Sequence, residues 1–462
     1  MQNLSIRSLL SIFLLSLLSA DLTIIPGPLV NITTDQSVGS IVIVSGNDSG
    51  YMATWQNTNG AGIEGFSSNL GKNWTKNTLI DPTIENLWVA SNSSGFLTTF
   101  VSSDSEFLGN AYTRFSPTSG TTWSEPFNLS NNDTVAPFSL STANETGFLT
   151  TWWNFCPGYG NVNFSLNGLG WQPTITLSNT GNISSPLLSS GSTNGFMVVW
   201  QEYLNGEVTA YISYSADGTN WNSPHAVSEI INLGEFRLIS IASSPEGYLL
   251  AWIDDADTSY SIFSSDNGIS WTAPSQISTD HPSNCNRPFV SITKTSAGFL
   301  ASWTGHLGEA LASLSDDNGS TWQTPVVLNR RGNYVMRNVL YTTVAASSLN
   351  EGCMFTWLDE NENVISCYAI LAESIQPVTN LHGKHLLNKF ANCQEYVNSL
   401  SWTASIWPFA KNTLVYRNGL LIATLPSSQT TYQDHNQNNP VTYTLMTIDE
   451  SGNESAPVSI SL

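Results

Sequence analysis

Ser264-Ser265-Asp266-Asn267-Gly268-Ile269-Ser270-Trp271, continued by Thr272-Ala273-Pro274, recurs as Ser315-Asp316-Asp317-Asn318-Gly319-Ser320-Thr321-Trp322 with Gln323-Thr324-Pro325 behind it. Weaker copies end at Trp74, Trp123, Trp171 and Trp221, so six tryptophans stand 48 to 51 residues apart. A fixed period of that size marks a repeated supersecondary unit. The octet has the chemistry of a turn. Asp, Asn and Gly accept positive φ. Ser and Asp side chains hydrogen-bond backbone N–H groups across a turn. The Trp then plugs the apolar layer beneath, its N–H available to an acceptor. The octet therefore reads as a self-locked hairpin joining two strands.

A second repeat runs beside it. Gly50-Tyr51-Met52-Ala53-Thr54-Trp55 recurs at Gly95 to Phe100, Gly147 to Trp152, Gly195 to Trp200, Gly247 to Trp252, Gly298 to Trp303 and Gly352 to Trp357, seven copies against six octets. Alternation ending in an aromatic residue, after a Gly turn, marks a half-buried strand. Each unit then holds four strands: an inner one (Leu238 to Ala242 in unit five), the Gly–Trp strand, the strand before the octet and the strand after its Trp. Unit seven offers Val339 to Ala345, Gly352 to Trp357 and Val364 to Ile370, and then no fourth strand. Ile25-Pro26-Gly27-Pro28-Leu29-Val30-Asn31 resembles the fourth strands Glu125 to Ser130 and Thr324 to Asn329. Residues 22–32 are therefore expected to form the outer strand of the last unit, which also protects sheet edges.

The octets resemble the Asp-box repeats of bacterial neuraminidases, Ser-x-Asp-x-Gly-x-Thr-Trp. Units five and six match, with Ser270 in place of Thr. Unit one has Asn69 and unit two Thr118 where the Asp belongs. Units three and four are one residue shorter, with Asn167 and Asp217 there. The resemblance covers roughly residues 22–370 and implies a β-propeller whose boxes are fold devices on outer strands, far from any active site. Asn69, Asn167, Asp217, Asp266, Asp317 and Trp74, Trp123, Trp171, Trp221, Trp271 and Trp322 are thus structural under this reading. The expected fold is all-β: a seven-bladed propeller over residues 21–372, the alternative being six blades as in catalytic sialidases, which leaves one unit unexplained.

Residues 373–462 read as a separate domain. Pro377 to Leu381 opens a strand, Leu400-Ser401-Trp402 puts a Trp in a core, Leu414 to Tyr416 runs into an Asn418-Gly419 turn, and Tyr443-Thr444-Leu445 leads to a last strand. Short strands at regular spacing with a core Trp and a late Tyr resemble a fibronectin type III, immunoglobulin-like sandwich. On exported proteins such modules are usually spacers or binders.

Among the 462 residues, 35 acidic against 14 basic side chains give a formal charge of −21. That argues against nucleic acid as a partner, since such binding is driven by phosphate neutralisation. Residues 1–20 read as a signal peptide, with Arg7, an apolar run Leu9 to Leu18 and small Ser19-Ala20. The competing reading, an uncleaved anchor, is disfavoured by the short run. The expectation is a secreted or cell-surface protein with no membrane span after cleavage. Five cysteines are an odd count. Cys353 and Cys367 flank a hairpin, either facing each other or as buried free thiols. Cys156, Cys285 and Cys393 have no evident partners. No zinc spacing occurs, and no metal or cofactor is expected.

The Asp-box resemblance includes sialidases, other glycosidases and proteins without activity. A sialidase needs an arginine cluster, a Tyr–Glu nucleophile pair and an Asp acid/base, with Arg-Ile-Pro before the first box. That tripeptide is missing, and no Arg lies between Arg7 and Arg114. No catalytic residue transfers. Arg237, Arg287 and Arg337 recur every 50 residues before inner strands, with Arg330 and Arg331 near the last. Convergent guanidiniums would form a fork suited to carboxylate or sulfate; against this, Arg237 aligns with Pro288, and pairing with Glu235, Asp254, Asp255 or Glu202 is the simpler reading. Glu202, Glu207, Asp254, Asp255, Asp257, Asp359, Glu360 and Glu362 lie in or beside loops after second strands. Two carboxylates at suitable separation permit glycoside hydrolysis, but solvated acidic loops are expected on so acidic a chain. Tyr334 is a weak nucleophile candidate. Trp153, Phe155, Tyr159 and Tyr203 are candidates to stack on sugars. Sequons at Asn73, Asn92, Asn128 and Asn182 would carry glycans only in a eukaryotic host. The sequence supports an exported, non-catalytic module that binds a glycan or a cell-surface protein, with a diverged exo-sialidase-type hydrolase as the alternative and a purely structural surface protein as a third.

Overall fold

A computed structural model describes residues 22–33, 42–77, 84–102, 109–131, 135–154, 156–204, 207–227, 239–281, 290–331, 334–335, 340–346, 352–372, 374–389, 394–435, 437 and 439–462. The described elements are all strands. Six four-stranded meanders follow one another: sheet 1 (Ile43–Asn47, Gly50–Gln56, Gly62–Ser67, Thr75–Asn77), sheet 2 (Ile84–Asn92, Gly95–Ser102, Asn110–Ser116, Phe127–Asn128), sheet 3 (Val135–Asn144, Gly147–Asn154, Gly160–Ser165, Ile175–Ser178), sheet 4 (Leu188–Ser192, Gly195–Leu204, Glu207–Ser215, His225–Ala226), sheet 5 (Ser240–Ser244, Gly247–Ile253, Ser259–Ser264, Ser275–Ser278) and sheet 6 (Val290–Thr295, Gly298–Thr304, Ala310–Ser315, Val326–Val327). Sheet 7 holds Leu340–Ala346, Gly352–Leu358 and Val364–Ala372, and its outer strand is Thr23–Asn31, paired antiparallel from Thr23 opposite Ala372 to Asn31 opposite Ile365. The first strands of successive sheets lie side by side, and that of sheet 7 lies against that of sheet 1. This is a β-propeller. The inner strand of unit five runs Ser240–Ser244, a shift from Leu238–Ala242.

The octets lock as the turn chemistry requires. Gly268 N–H donates to Ser264 Oγ at 2.8 Å, Ser270 N–H to Asp266 Oδ1 at 2.9 Å, and Ser264 Oγ–H to Asp266 Oδ1 at 2.8 Å. Asp317 repeats this with Ser315, Gly319 and Thr321. The Ser270 hydroxyl and then its N–H hold the Asp266 carboxyl below its ordinary range. In unit two Thr118 supplies no carboxylate, and Gly120 N–H donates to the Thr118 carbonyl instead. The two repeats meet at one point: the Gly opening each second strand sits under the carbonyl of the first octet Ser, Tyr248 being paired with Ser264.

Five second-strand tryptophans, Trp55, Trp152, Trp200, Trp303 and Trp357, are among the largest fully buried side chains. The octet tryptophans are only half-buried and lie between sheets. Trp74 Nε1–H donates to Ser366 Oγ of sheet 7 at 3.1 Å and Trp322 Nε1–H to Ser261 Oγ of sheet 5 at 2.9 Å. Trp123 Nε1–H donates to Glu64 Oε1 of sheet 1 at 2.6 Å.

An asparagine relay binds sheets 1 to 4 at the turns between first and second strands. Asn47 Nδ2 donates to the Asn92 carbonyl at 3.1 Å, Asn92 Nδ2 to Asn144 at 3.0 Å, and Asn144 Nδ2 to Ser192 at 2.8 Å. Each Oδ1 meanwhile accepts the N–H two residues on, from Ser49, Ser94 and Thr146. Asn92, singled out as a glycan acceptor, is therefore buried with its carboxamide nitrogen committed to the next sheet. Asn144→Asp keeps the acceptor and removes the donor, leaving a carboxylate against the Ser192 carbonyl. It is expected to cost about 2 kcal/mol at neutral pH, partly recovered near pH 4, where the protonated acid can donate again. Urea titrations at the two pH values check this; equal losses at both would refute the relay's donor role.

From Thr379 two further sheets follow, Thr379–Lys389, Gln394–Thr403 and Thr431–His435 in one, and Leu420–Pro426, Ala410–Arg417, Thr442–Asp449 and Val458–Ser461 in the other. They share a core of Val378, Leu400, Trp402, Val415, Val441, Tyr443 and Leu445. Asn418 and Gly419, with φ of 49° and 82°, make the two-residue turn. This part is fastened to the first octet. Trp407 and Phe409 are buried against Tyr51, Met354, Tyr368 and Ile370, with Leu70 and Trp74 packed beside them. Lys72 Nζ donates to the Pro408 carbonyl at 2.7 Å and lies 5.2 Å from the Phe409 ring centroid. Leu70 has φ of 59°, where Asn267 and Asn318 have 59° and 58° in their octets. A leucine at positive φ is strained; here its side chain packs against the cluster of Tyr51, Tyr368, Trp407 and Phe409.

Cys353 and Cys367 are free thiols on one face of the sheet 7 hairpin. Burial pushes Cys367 up to about 12 and Cys353 up as well, the latter also by its neighbour Cys367. They are core side chains. Cys156 is free and exposed; Cys285 and Cys393 lie outside the described residues, as do residues 1–20.

Candidate functional site

The first strands of all seven sheets line a central cavity of ≈ 390 Å³. Four of its hydroxyls pair across neighbouring sheets. Ser45 and Ser91 share a 2.7 Å bond, and Ser190 Oγ donates to Ser243 Oγ at 2.8 Å. Lys294 is the one cation among the described lining residues, and its Nζ lies over its own sheet's Phe299 ring, 5.4 Å from the centroid. The described wall holds no carboxylate. Arg237, Arg287 and Arg337 lie outside the described residues, as do the side chains of Arg331 and Tyr334. Their convergence is thus not among the observed geometry.

Three of the carboxylates after the second strands, Glu202, Asp254 and Asp359, are structural. Glu202 is buried and accepts three bonds: Ser178 Oγ–H at 2.6 Å and Trp200 Nε1–H at 2.9 Å on Oε1, and Thr180 Oγ1–H at 2.9 Å on Oε2. It ties the outer strand of sheet 3 to sheet 4. Asp254 Oδ1 caps its turn by accepting the Ala256 and Thr258 N–H groups, each at 2.9 Å. Asp359 does the same for Asn361 and Asn363. A carboxylate spent on backbone donors in this way is poorly placed for general acid work. Glu207, Asp255 and Glu360 are exposed.

One cluster escaped the sequence reading. Asp280 Oδ1 accepts the His306 N–H at 2.9 Å and also contacts His306 Nδ1, while Glu309 Oε2 accepts the Leu307 N–H at 3.1 Å. Gly305 separates the two carboxylates: a Cβ there would stand 2.8 Å from Glu309 Oε2 and 3.5 Å from Asp280 Oδ2. Asp280 and His306 come from different sheets' loops, so no local spacing announces them. No group of three or more His, Cys, Asp or Glu among the described residues is placed to hold a metal ion. No helix there is long and apolar enough to cross a membrane.

Two aromatic side chains meet on sheet 3 beside its junction with sheet 4. Phe138 and Trp153 stack with ring centroids 6.0 Å apart and planes 11° from parallel, both half-buried. Tyr159 is half-buried in the loop that follows, and Tyr203 is 45% exposed at the end of the sheet 4 second strand. The link between the sheets holds them. Tyr203 N–H donates to the Asn182 carbonyl at 2.9 Å, and Ile183 bridges Glu202. Gly158 packs on Gly181, where a Cβ would stand 2.9 Å from the Gly181 carbonyl oxygen. Trp153 also packs against the sheet 3–4 core. The Phe138–Trp153 pair therefore sits on a fixed backbone, with Tyr159 and Tyr203 on neighbouring segments. On the opposite face of the sheet the Asn161 amide is buried and spent internally, its Nδ2 donating to Asn154 Oδ1 at 3.1 Å and its Oδ1 accepting from Thr176 Oγ1 at 2.9 Å. Phe155 lies outside the described residues.

No family model matches the chain, and no curated protein matches it. Solved structures do align. A fungal lectin from Aleuria aurantia, with a six-bladed β-propeller fold and fucose recognition, is 10% identical, with a TM-score of 0.39 over 86% of this chain and 99% of the lectin. A polysaccharide lyase, ulvan lyase, is 10% identical with a TM-score of 0.46 over 75% of this chain and 96% of its own. A subtype N10 neuraminidase-like protein of a little yellow-shouldered bat isolate is 10% identical with a TM-score of 0.41 over 62% of this chain and 94% of its own. Superpositions this loose carry no site or activity across.

Proposed function

We propose that this chain is an exported, non-catalytic glycan-binding protein. In this reading it is a seven-bladed propeller of the sialidase-like Asp-box kind, carrying a fibronectin type III-like module over residues 373–462. Residues 1–20 are the export signal, and the protein is secreted or held at a cell surface, where a surface protein is the other candidate partner. The observation that carries the reading is the stacked Phe138–Trp153 pair, to which this reading adds Tyr159 and Tyr203 from the neighbouring loops as a sugar-binding crest. A stacked, half-exposed aromatic platform suits the apolar face of a sugar ring. The capped state of Glu202, Asp254 and Asp359 supports the non-catalytic part.

The test is a glycan array on the full chain followed by calorimetry on the best ligand. Trp153→Ala is expected to weaken that ligand by about tenfold or more, the loss of one central aromatic contact, with the chain still folded by circular dichroism. Undiminished affinity, or no retained glycan, refutes the crest. Turnover of a fluorogenic sialoside or other glycoside, lost in Asp280→Asn, would refute the non-catalytic assignment and restore the hydrolase alternative.

A further inference from the structure

Away from the crest, a second cavity of ≈ 520 Å³ opens between the propeller and the C-terminal sheets. Its walls are the outer strands of sheets 6 and 7, through Pro325, Val327 and Pro26, and the turn of Ser451 to Asn453. Arg330 completes the lining. The walls are fixed rather than apposed by chance. Phe409 is buried against Gly27, where a Cβ would stand 2.8 Å from its ring. Gln323 Nε2 donates to the Leu22 carbonyl at 2.9 Å, tying sheet 6 to the N-terminal strand. On the opposite wall Asp449 Oδ1 accepts the N–H groups of Ser451 and Asn453, each at 2.9 Å, so that turn is rigid. Gly452 there has open space on its Cβ side.

The chemistry of the lining is asymmetric. Prolines and valines give an apolar floor, and the prolines lack the N–H that would let an extended chain add to these edges. Arg330 is exposed, and among the described residues no acceptor is bonded to its guanidinium. On a chain of net charge −21 that is an unspent cation at the mouth of a preformed cleft. Glu450 and Glu454 belong to the facing turn but not to the lining. A guanidinium takes a carboxylate in two parallel hydrogen bonds, and small-molecule sites favour apolar clefts at domain junctions with few polar groups.

We propose that this interdomain cleft binds a small apolar carboxylate, its acid group on Arg330 and its hydrocarbon body against Pro26, Pro325 and Val327. The probe is naphthoate, with naphthylmethanol as its uncharged counterpart, titrated into the full chain by ligand-observed NMR. Naphthoate is expected to bind at least about tenfold more tightly than the alcohol. Arg330→Gln should remove that preference while leaving the affinity for the alcohol unchanged. Trp153→Ala should change neither, which separates this site from the glycan crest. Equal affinity for acid and alcohol, an undiminished naphthoate affinity in Arg330→Gln, or no naphthoate binding at millimolar concentration would each overturn the proposal. Arg330 is exposed, so its substitution tests the site without unfolding it.

Discussion

Gly247→Ala is expected to lower the unfolding free energy by about 3 kcal/mol, combining backbone strain with overpacking. Gly247 has φ of +155°, and a Cβ there would stand 2.0 Å from the Ser264 carbonyl oxygen and 2.9 Å from the Phe263 ring. The obstacle is backbone, so no rotamer change relieves it. Either the turn opens or the third strand recedes, and the third strand is where the Asp266 octet begins. Gly452 supplies the control. It too has positive φ, at +88°, but nothing lies within 4 Å of its Cβ position. Gly452→Ala should therefore cost about 1 kcal/mol, strain alone. Chemical denaturation of the two variants measures the difference. A loss at Gly247 no larger than that at Gly452 would mean that close approach to the octet is not what the glycine provides.

This contact also explains why two repeats were legible in the sequence. The Gly of the second strand and the Ser of the octet are one structural joint, recurring at Gly50, Gly95, Gly147, Gly195 and Gly298 with carbonyl distances of 2.1 to 2.4 Å from the Cβ position. Such features are local or repeated, so spacing reveals them. What remained illegible is non-local. The Asn47–Asn92–Asn144 relay spans 45 to 52 residues per step, and in sheets 4 and 5 the capping place is held by Ser192 and Ser244, so no pattern of asparagines persists. Asp254 and Asp359 look like loop carboxylates in the sequence, because an acid that caps its own turn and an acid that faces a ligand have the same letter. Leu70 and Lys72 read as a degraded octet, whereas the structure gives them the Trp407–Phe409 segment to hold. The crest was partly legible: Trp153, Tyr159 and Tyr203 stood out as aromatics beyond the repeat, but Phe138 had no signal until the irregular pairing between Val135 and Ser139 placed it against Trp153. The arginine triplet gained no support, its members lying outside the described residues.

Glu64 leads to the second large effect, a loss of stability between about pH 4.5 and pH 8 that one substitution should remove. It is 1% exposed in the third strand of sheet 1, opposite Thr54. The corresponding sites that receive octet indoles in sheets 5 and 7 are the small hydroxyls Ser261 and Ser366. Burial raises the Glu64 carboxyl to about 8, against smaller opposing effects of the Trp123 indole bond and the Arg114 charge. Oε1 accepts the Trp123 N–H, while Oε2 has no hydrogen-bond partner. The folded-state value thus lies above the unfolded one, near the ordinary 4.5. Between these values the folded chain holds a proton that the unfolded chain has released. Stability from this group is therefore greatest below pH 4.5, falls as pH rises to about 8, and is level beyond it. Glu64→Gln keeps an acceptor for Trp123 and cannot ionise. Its stability relative to the parent should be nearly unchanged at pH 4 and higher by on the order of 3 kcal/mol at pH 9. Thermal unfolding of both proteins across that range measures the divergence. A constant difference between the two melting curves would show that Glu64 titrates as it would in water. Trp123→Phe sharpens the assignment: without the indole donor the carboxylate form loses its one hydrogen bond, so the fall from pH 4.5 upward should grow in the parent background and vanish again with Gln at position 64.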